Sequence, residues 1–269
     1  MSELSDYLRG KRVGISLSGG GARGAAHIGM LRALLEAEIE PTHIVGVSAG
    51  AIVGALYAAG KGPDELMEFV NQSSVIRLIK FGIPKTGLTT LDYLRERLSA
   101  VLPENDFSKL RKPFHVGLTN LQTGHFELHN DGPLHDLVAG SCTIPFVFKP
   151  MEINGQLYVD GGVTNNMPVE PLIDEVDFII GANLMPPTTL SKKELANVVS
   201  ISWRCFDLGV MANTEISAQC CDLLLEPPKV AEHSIFAFGK LKELHDAGYF
   251  YTKRRIEEWM PEYDVRYQT

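Results

Sequence analysis

At 269 residues, 45% of them hydrophobic and 22% charged, the chain has the composition of a soluble globular protein with a full core, and no linker divides it, so one domain over 1–269 is expected. Its 25 Lys and Arg stand against 33 Asp and Glu, a net charge of −8, which argues against nucleic acid as a partner and against long-range attraction to anionic lipid. The opening MSELSDYLRGKRVG does not read as a secretory signal, no apolar run reaches the roughly 18 to 20 residues of a membrane helix, and Cys142, Cys205, Cys220 and Cys221 have no metal-type spacing. A cytoplasmic protein with reduced, buried thiols and no metal is expected.

Arg12 to Leu17 reads as a first strand, followed by a glycine run and a helix with Ile28, Leu31, Leu34 and Leu35 on one face, stopped at Glu40-Pro41. Thr42 to Val47 is a second strand and Ala49 to Ala59 a second helix, ended by Gly60. This order with short connections predicts a mainly parallel sheet covered on both faces. Helices are expected at Asp64 to Ser73 and Leu91 to Leu102, the latter capped by Thr89 with Asp92 and ended by Pro103. Strands are expected at Phe114 to Thr119, His125 to His129, Phe148 to Ile153, Gln156 to Val159 and Phe178 to Leu184, with turns at Leu121-Gln122-Thr123-Gly124 and Asn154-Gly155. Beyond them, helix-like segments alternate with an apolar run at Leu223 to Leu225.

Two motifs compete for the glycines. Gly19-x-Gly21-x-x-Gly24 matches a dinucleotide fingerprint, but the second strand ends in Gly46-Val47-Ser48-Ala49-Gly50, without the acid that would hold a ribose. A Gly-Lys-Ser/Thr phosphate element is missing too. What stands there is G-x-S-x-G, a nucleophile elbow, with Ser48 at the N-terminus of a helix whose dipole favours developing negative charge. The amides of the glycine loop then read as an oxyanion hole, and Arg23 either ties that loop to carbonyls, lends positive charge, or sits in solvent. None of His115, His125, His129, His135, His233 and His245 lies in a glycine-rich loop suited to present it to Ser48. Asp160, in Tyr158-Val159-Asp160-Gly161-Gly162, ends a strand and is followed by glycines that leave the carboxylate accessible, either as a base or as part of a plain turn.

The segment Ser18 to Gly29, the elbow around Ser48 and Asp160-Gly161-Gly162, in that order, resemble the patatin-like phospholipase family, in particular its short bacterial single-domain members. Ala139 to Phe146 also resembles a small-residue segment of that family, and the likeness spans roughly Lys11 to Asn183. The resemblance implies a three-layer α/β/α fold with a central, mainly parallel sheet. It implies a Ser-Asp dyad of Ser48 and Asp160 without histidine, and an oxyanion loop of Gly19, Gly20, Gly21 and Arg23. The implied activity is hydrolysis of acyl esters of phospholipids, lysophospholipids or related lipids, with no cofactor and no calcium. An acyltransferase on the same dyad is the first alternative, and a non-catalytic nucleotide-binding module the second.

Peripheral contact with a lipid surface has a candidate in Val75 to Lys85, which interleaves apolar residues with Arg77, Lys80 and Lys85 and has no acid. Packing of those apolar residues into the core beneath a loop is the competing explanation. Oligomeric state is not legible.

Overall fold

Strand β1 (Val13–Leu17) is buried at every position, as expected of a strand inside a parallel sheet covered on both faces. In the computed structural model, which describes residues 2–72 and 90–260, helix α1 (Glu3–Tyr7) precedes β1, and the glycine run after it forms a single 3₁₀ turn, Gly21–Gly24. Then follow α2 (Ala25–Glu36), β2 (His43–Val47), α3 (Ala49–Ala58), α4 (Pro63–Gln72) and α5 (Asp92–Val101). The next elements are β3 (Phe114–Asn120), β4 (Phe126–His129), α6 (Leu134–Ser141), β5 (Met151–Ile153), β6 (Gln156–Asp160) and β7 (Phe178–Ala182). A long helix, α7 (Val198–Ala218), leads to β8 (Leu223–Leu225), the short helix α8 (Pro228–Ala231) and the C-terminal α9 (Leu241–Glu257).

The strands lie in the order β5-β6-β3-β2-β1-β7-β8, with β4 paired to β3. β3, β2, β1, β7 and β8 run parallel, while β4, β5 and β6 add an antiparallel margin. Alternation along the central strands separates two cores. Ile15, Leu17, Ile44, Val116, Phe178 and Ile180 join the larger one, whereas Val45 and Ile179 join Met167, Val169, Leu172 and Cys221 in the smaller. The sheet is therefore the middle layer of three, as expected.

Differences from the sequence reading have local causes. The Phe148 to Ile153 strand shrinks to Met151–Ile153 because Phe146 takes a left-handed backbone (φ 70°) and Phe148 turns into a pocket. β7 ends before Asn183 because Asn183 Oδ1 accepts from the Met185 N–H in a turn, and the Leu184 N–H donates to Ser18 Oγ. Asn154 and Gly155 both have positive φ, 52° and 78°, the conformation of the tight hairpin turn expected there. Cys142 and Cys221 are buried, but Cys205 and Cys220 are exposed, one on the outside of α7 and one just past its end; all four are free. Thr89 and the Val75 to Lys85 segment lie outside the described residues. Among the described residues no helix is long and apolar enough to cross a membrane.

Candidate active site

The short connection from β2 to α3 forces Ser48 into an unusual backbone, φ 53° and ψ −120°. Such a conformation costs on the order of 1–3 kcal/mol for a residue with a side chain and persists only where its surroundings fix it. Here they do. The Ser48 N–H donates to Ser141 Oγ at 2.8 Å, and Ser141 Oγ donates to the Gly117 carbonyl of β3 at 2.7 Å. Gly50 admits the first turn of α3 against the end of β1, where any Cβ would overlap the Leu17 carbonyl.

Strand register brings Asp160 to the same level. Val47 lies opposite Gly117 in the β2–β3 pair, and the next residue of β3, Leu118, lies opposite Asp160 in the antiparallel β3–β6 pair. The Asp160 carboxyl is buried and accepts the Gly162 N–H at 2.9 Å. Burial pushes it up to about 6, against the opposing pull of hydrogen bonds from the Ser48 side chain and the Gly162 amide. A carboxylate with that value is mostly ionised at neutral pH and still basic enough to accept a hydroxyl proton.

The glycine loop lies against Ser48: a Cβ on Gly19 would stand 3.2 Å from the Ser48 Cβ. Its amides divide into two groups. Ser18 donates to the Ala182 carbonyl, Gly19 to Asn166 (main-chain O at 3.3 Å, Oδ1 at 3.1 Å), and Ala22 to the Ile235 carbonyl at 2.7 Å. Among the described residues, the Gly20 and Gly21 amides have no acceptor. Gly19 thus anchors the loop, and the two glycines after it hold the free donors. Arg23 is buried and carries the loop on carbonyls, donating to His233 O at 2.8 Å, Leu184 O at 2.9 Å and Ala231 O at 3.3 Å. Of its three roles weighed above, tying the loop to carbonyls is the one observed.

Four supporting residues had not been singled out from sequence. His27 is fully buried, donates through Nε2 to the Ser18 carbonyl at 2.8 Å, and is held neutral by burial, its value pushed down to about 4. Asn166 accepts the Gly19 N–H and donates its own N–H to Asn213 Oδ1 at 3.0 Å. Asn213, on α7, donates in turn to the Gly162 carbonyl at 3.0 Å. The glycine loop, the Asp-Gly-Gly turn and α7 are therefore one hydrogen-bonded unit, with Ser141 bracing the elbow from the other side.

Two cavities meet at Ser48. One is almost entirely apolar, lined by residues that include Ile52, Val53, Leu94, Cys142, Phe148 and Phe236. The other is smaller and holds Asp160, Asn166, Phe206 and Asp207. Burial raises the Asp207 carboxyl, and Arg23 and Arg204 pull it back. Among the described residues, no histidine lines either cavity.

A family model described as patatin-like phospholipase matches residues 15–173, and the chain belongs to that family. It is 32% identical over 164 residues to an uncharacterised NTE family protein of Mycobacterium tuberculosis, covering 60% of this chain and 45% of that one. It is 25% identical over 292 residues to human patatin-like phospholipase domain-containing protein 6 (96% and 21%) and 30% identical over 235 residues to lysophospholipase NTE1 of Cryptococcus neoformans (81% and 14%). The chain thus spans less than half the length of these curated relatives. Among solved structures it is similar to VipD from Legionella pneumophila, with a TM-score of 0.46 and 18% identity, covering 88% of this chain and 67% of that one. Similarity to human GIVD cytosolic phospholipase A2 reaches a TM-score of 0.42 at 13% identity, covering 95% and 58%.

Proposed function

We propose that the chain is a serine lipid acylhydrolase in which Ser48 is the nucleophile and Asp160 the base. The observation that carries this reading is a buried carboxylate with a value near 6 beside a serine in a strained elbow, with no histidine among the described residues that line either cavity. Asp160 takes the hydroxyl proton as Ser48 Oγ attacks the ester carbonyl. The free Gly20 and Gly21 amides are suited to the oxyanion that forms. Asp160 returns the proton to the departing alcohol oxygen, leaving an acyl-enzyme. Water then attacks the acyl carbonyl, giving its proton to Asp160, and Ser48 recovers a proton as the carboxylic acid leaves. The apolar cavity at Ser48 suits an acyl chain, which favours lipid esters over polar ones. The relatives named as phospholipases and lysophospholipases agree with that class.

Assay of Ser48→Ala and Asp160→Asn on a small soluble ester and on lysophospholipid tests the proposal. Loss of most activity in both variants, with circular dichroism unchanged, is the expected result. Near-normal turnover by Asp160→Asn would overturn the dyad. Product analysis with an added alcohol acceptor separates hydrolysis from acyl transfer.

A further inference from the structure

Asp160 tells the two cavities at Ser48 apart: it lines the smaller one and not the apolar one. In the proposed reaction it returns a proton to the departing alcohol oxygen, so that oxygen leaves on the side where Asp160 stands. The acyl chain then takes the apolar cavity, with about 780 Å³ of open space, and the alcohol takes the smaller one, with about 370 Å³. The polar side chains of the smaller cavity decide which alcohol it takes.

Besides Ser48, the described side chains of polar character that line it are Asp160, Asn166 and Asp207. Asp160 is engaged with the Ser48 side chain and the Gly162 amide, and Asn166 Oδ1 with the Gly19 N–H. Asp207 is different. It stands half-buried on the α7 wall of the cavity with Phe206 and Val210, and among the described residues its carboxyl has no hydrogen bond and no close ion pair. Burial raises it while Arg23 and Arg204 favour its ionised form, yet both arginines donate elsewhere, Arg23 to the Leu184, Ala231 and His233 carbonyls and Arg204 to Thr188. An acceptor is thus left open on the alcohol side of the nucleophile.

Charge narrows what can donate to it. An ammonium group at Asp207 would also feel Arg23 and Arg204, and a phosphate would face the carboxylates of Asp207 and Asp160. A neutral hydroxyl meets neither penalty and makes a charge-assisted hydrogen bond to the carboxylate. We infer that the smaller cavity receives the departing alcohol and that Asp207 is its specificity-determining residue, accepting a hydrogen bond from a free hydroxyl next to the ester oxygen, as a glycerol monoester presents. This rests on the acylhydrolase reading.

Propyl butyrate and glyceryl 1-butyrate test the inference, since they share the acyl group and the carbon skeleton of the alcohol and differ only in free hydroxyls. Wild type should favour the glyceryl ester at least roughly tenfold in kcat/KM, because the other ester leaves the carboxylate without its donor. Asp207→Leu should bring that ratio to about one. Asp207→Asn keeps an acceptor oxygen and nearly the same shape; its ratio should fall between the two, and it carries the test should the unfolding temperature show that leucine is not tolerated. Were Asp207 only a counter-ion for Arg23, both esters would lose turnover together and the ratio would keep its wild-type value. That result, or a wild-type ratio near one, would overturn the inference. An equal loss in Asp207→Leu on 1-octanoylglycerol and on 1-octanoyl lysophosphatidylcholine would assign the subsite to the hydroxyl they share, whereas a loss confined to the first would assign it to neutral glycerides; either outcome supports the inference. Calorimetry with 1-O-octylglycerol, an ether that cannot be hydrolysed, separates the inference from the reading beneath it: wild type should bind it at least roughly fivefold more tightly than Asp207→Leu. A wild type that cleaves no ester but shows this difference would remove the acylhydrolase reading and keep the hydroxyl subsite, and equal binding would remove the subsite.

Discussion

Ser141 links the nucleophile elbow to the neighbouring strand: it accepts the Ser48 N–H at 2.8 Å and donates to the Gly117 carbonyl at 2.7 Å, fully buried. Both bonds serve a backbone that is strained at Ser48, so the hydroxyl positions the elbow without reaching the ester. Ser141→Ala leaves a buried N–H and a buried carbonyl unpaired, at a cost of about 1–3 kcal/mol, and lets the elbow relax. Turnover of a soluble ester should fall roughly 10- to 100-fold with KM nearly unchanged, and the unfolding temperature should drop. A change in KM alone would show that Ser141 shapes binding and not the elbow.

The buried Asp160 carboxyl sets two opposed pH dependences. Its value in the fold, about 6, lies above the ordinary 3.8, so the native state holds this proton more tightly than the unfolded chain does. Stability conferred by the protonated form is complete below about 4 and is lost as pH rises to about 6, a difference on the order of 3 kcal/mol. Activity runs the other way, because the base must be ionised. kcat/KM for a soluble ester should rise with pH through a midpoint near 6. Asp160→Asn should be nearly inactive yet more stable than wild type at pH 8 in urea titration. Equal or lower stability of the variant would show that the carboxylate is better solvated than its burial implies.

Gly21 carries one of the two free loop amides, has φ +58°, and stands where a Cβ would overlap the Ile235 carbonyl. Alanine there strains the backbone and pushes against the same carbonyl that anchors Ala22. Loss of one oxyanion donor typically lowers rate about 10²- to 10³-fold, so Gly21→Ala should reduce kcat on that scale while affecting KM little. Gly20→Ala is the milder comparison, because its φ of 161° lies outside the left-handed region and its Cβ would meet only side chains, Leu184 at 3.0 Å and Arg23 at 3.5 Å. Turnover equal to wild type in Gly21→Ala would exclude the loop as the oxyanion site.

Local signals made the first half of the sheet and the elbow readable. Glycines flank Ser48 because the strand-to-helix turn has no room for side chains, and apolar alternation marks β1 and β2. The Asp-Gly-Gly turn was readable as a strand end, but its approach to Ser48 depends on β6 pairing antiparallel with β3, a register that no local pattern announces. Ser141, Asn166 and Asn213 were invisible for the same reason: each lies at least 45 residues in sequence from a partner it holds, and isolated Ser and Asn carry no periodic signal. Helix α6 was hidden by its short, mixed sequence LHDLVAGS. The exposure of Val198, Ile201, Leu208 and Ile216 on α7 was obscured because a helical apolar period reads as a core face whichever side it turns to water.

The apolar cavity gives the last prediction, which concerns chain length. Ile52 lies one turn of α3 beyond Ser48 and lines the cavity with Leu94 and Phe148, so its side chain stands along the course of an acyl chain attached at Ser48. It is only partly buried, and a larger side chain there can occupy the cavity without displacing the closed core beneath. Ile52→Trp should therefore leave acetyl and butyryl esters as good substrates and lower kcat/KM for palmitoyl esters roughly tenfold or more, since the chain loses the apolar surface it would bury. Ile52→Ala should shift preference towards longer chains. Parallel loss on short and long esters would mean that the substitution disturbs the elbow, and unchanged selectivity in both variants would place the acyl chain outside this cavity.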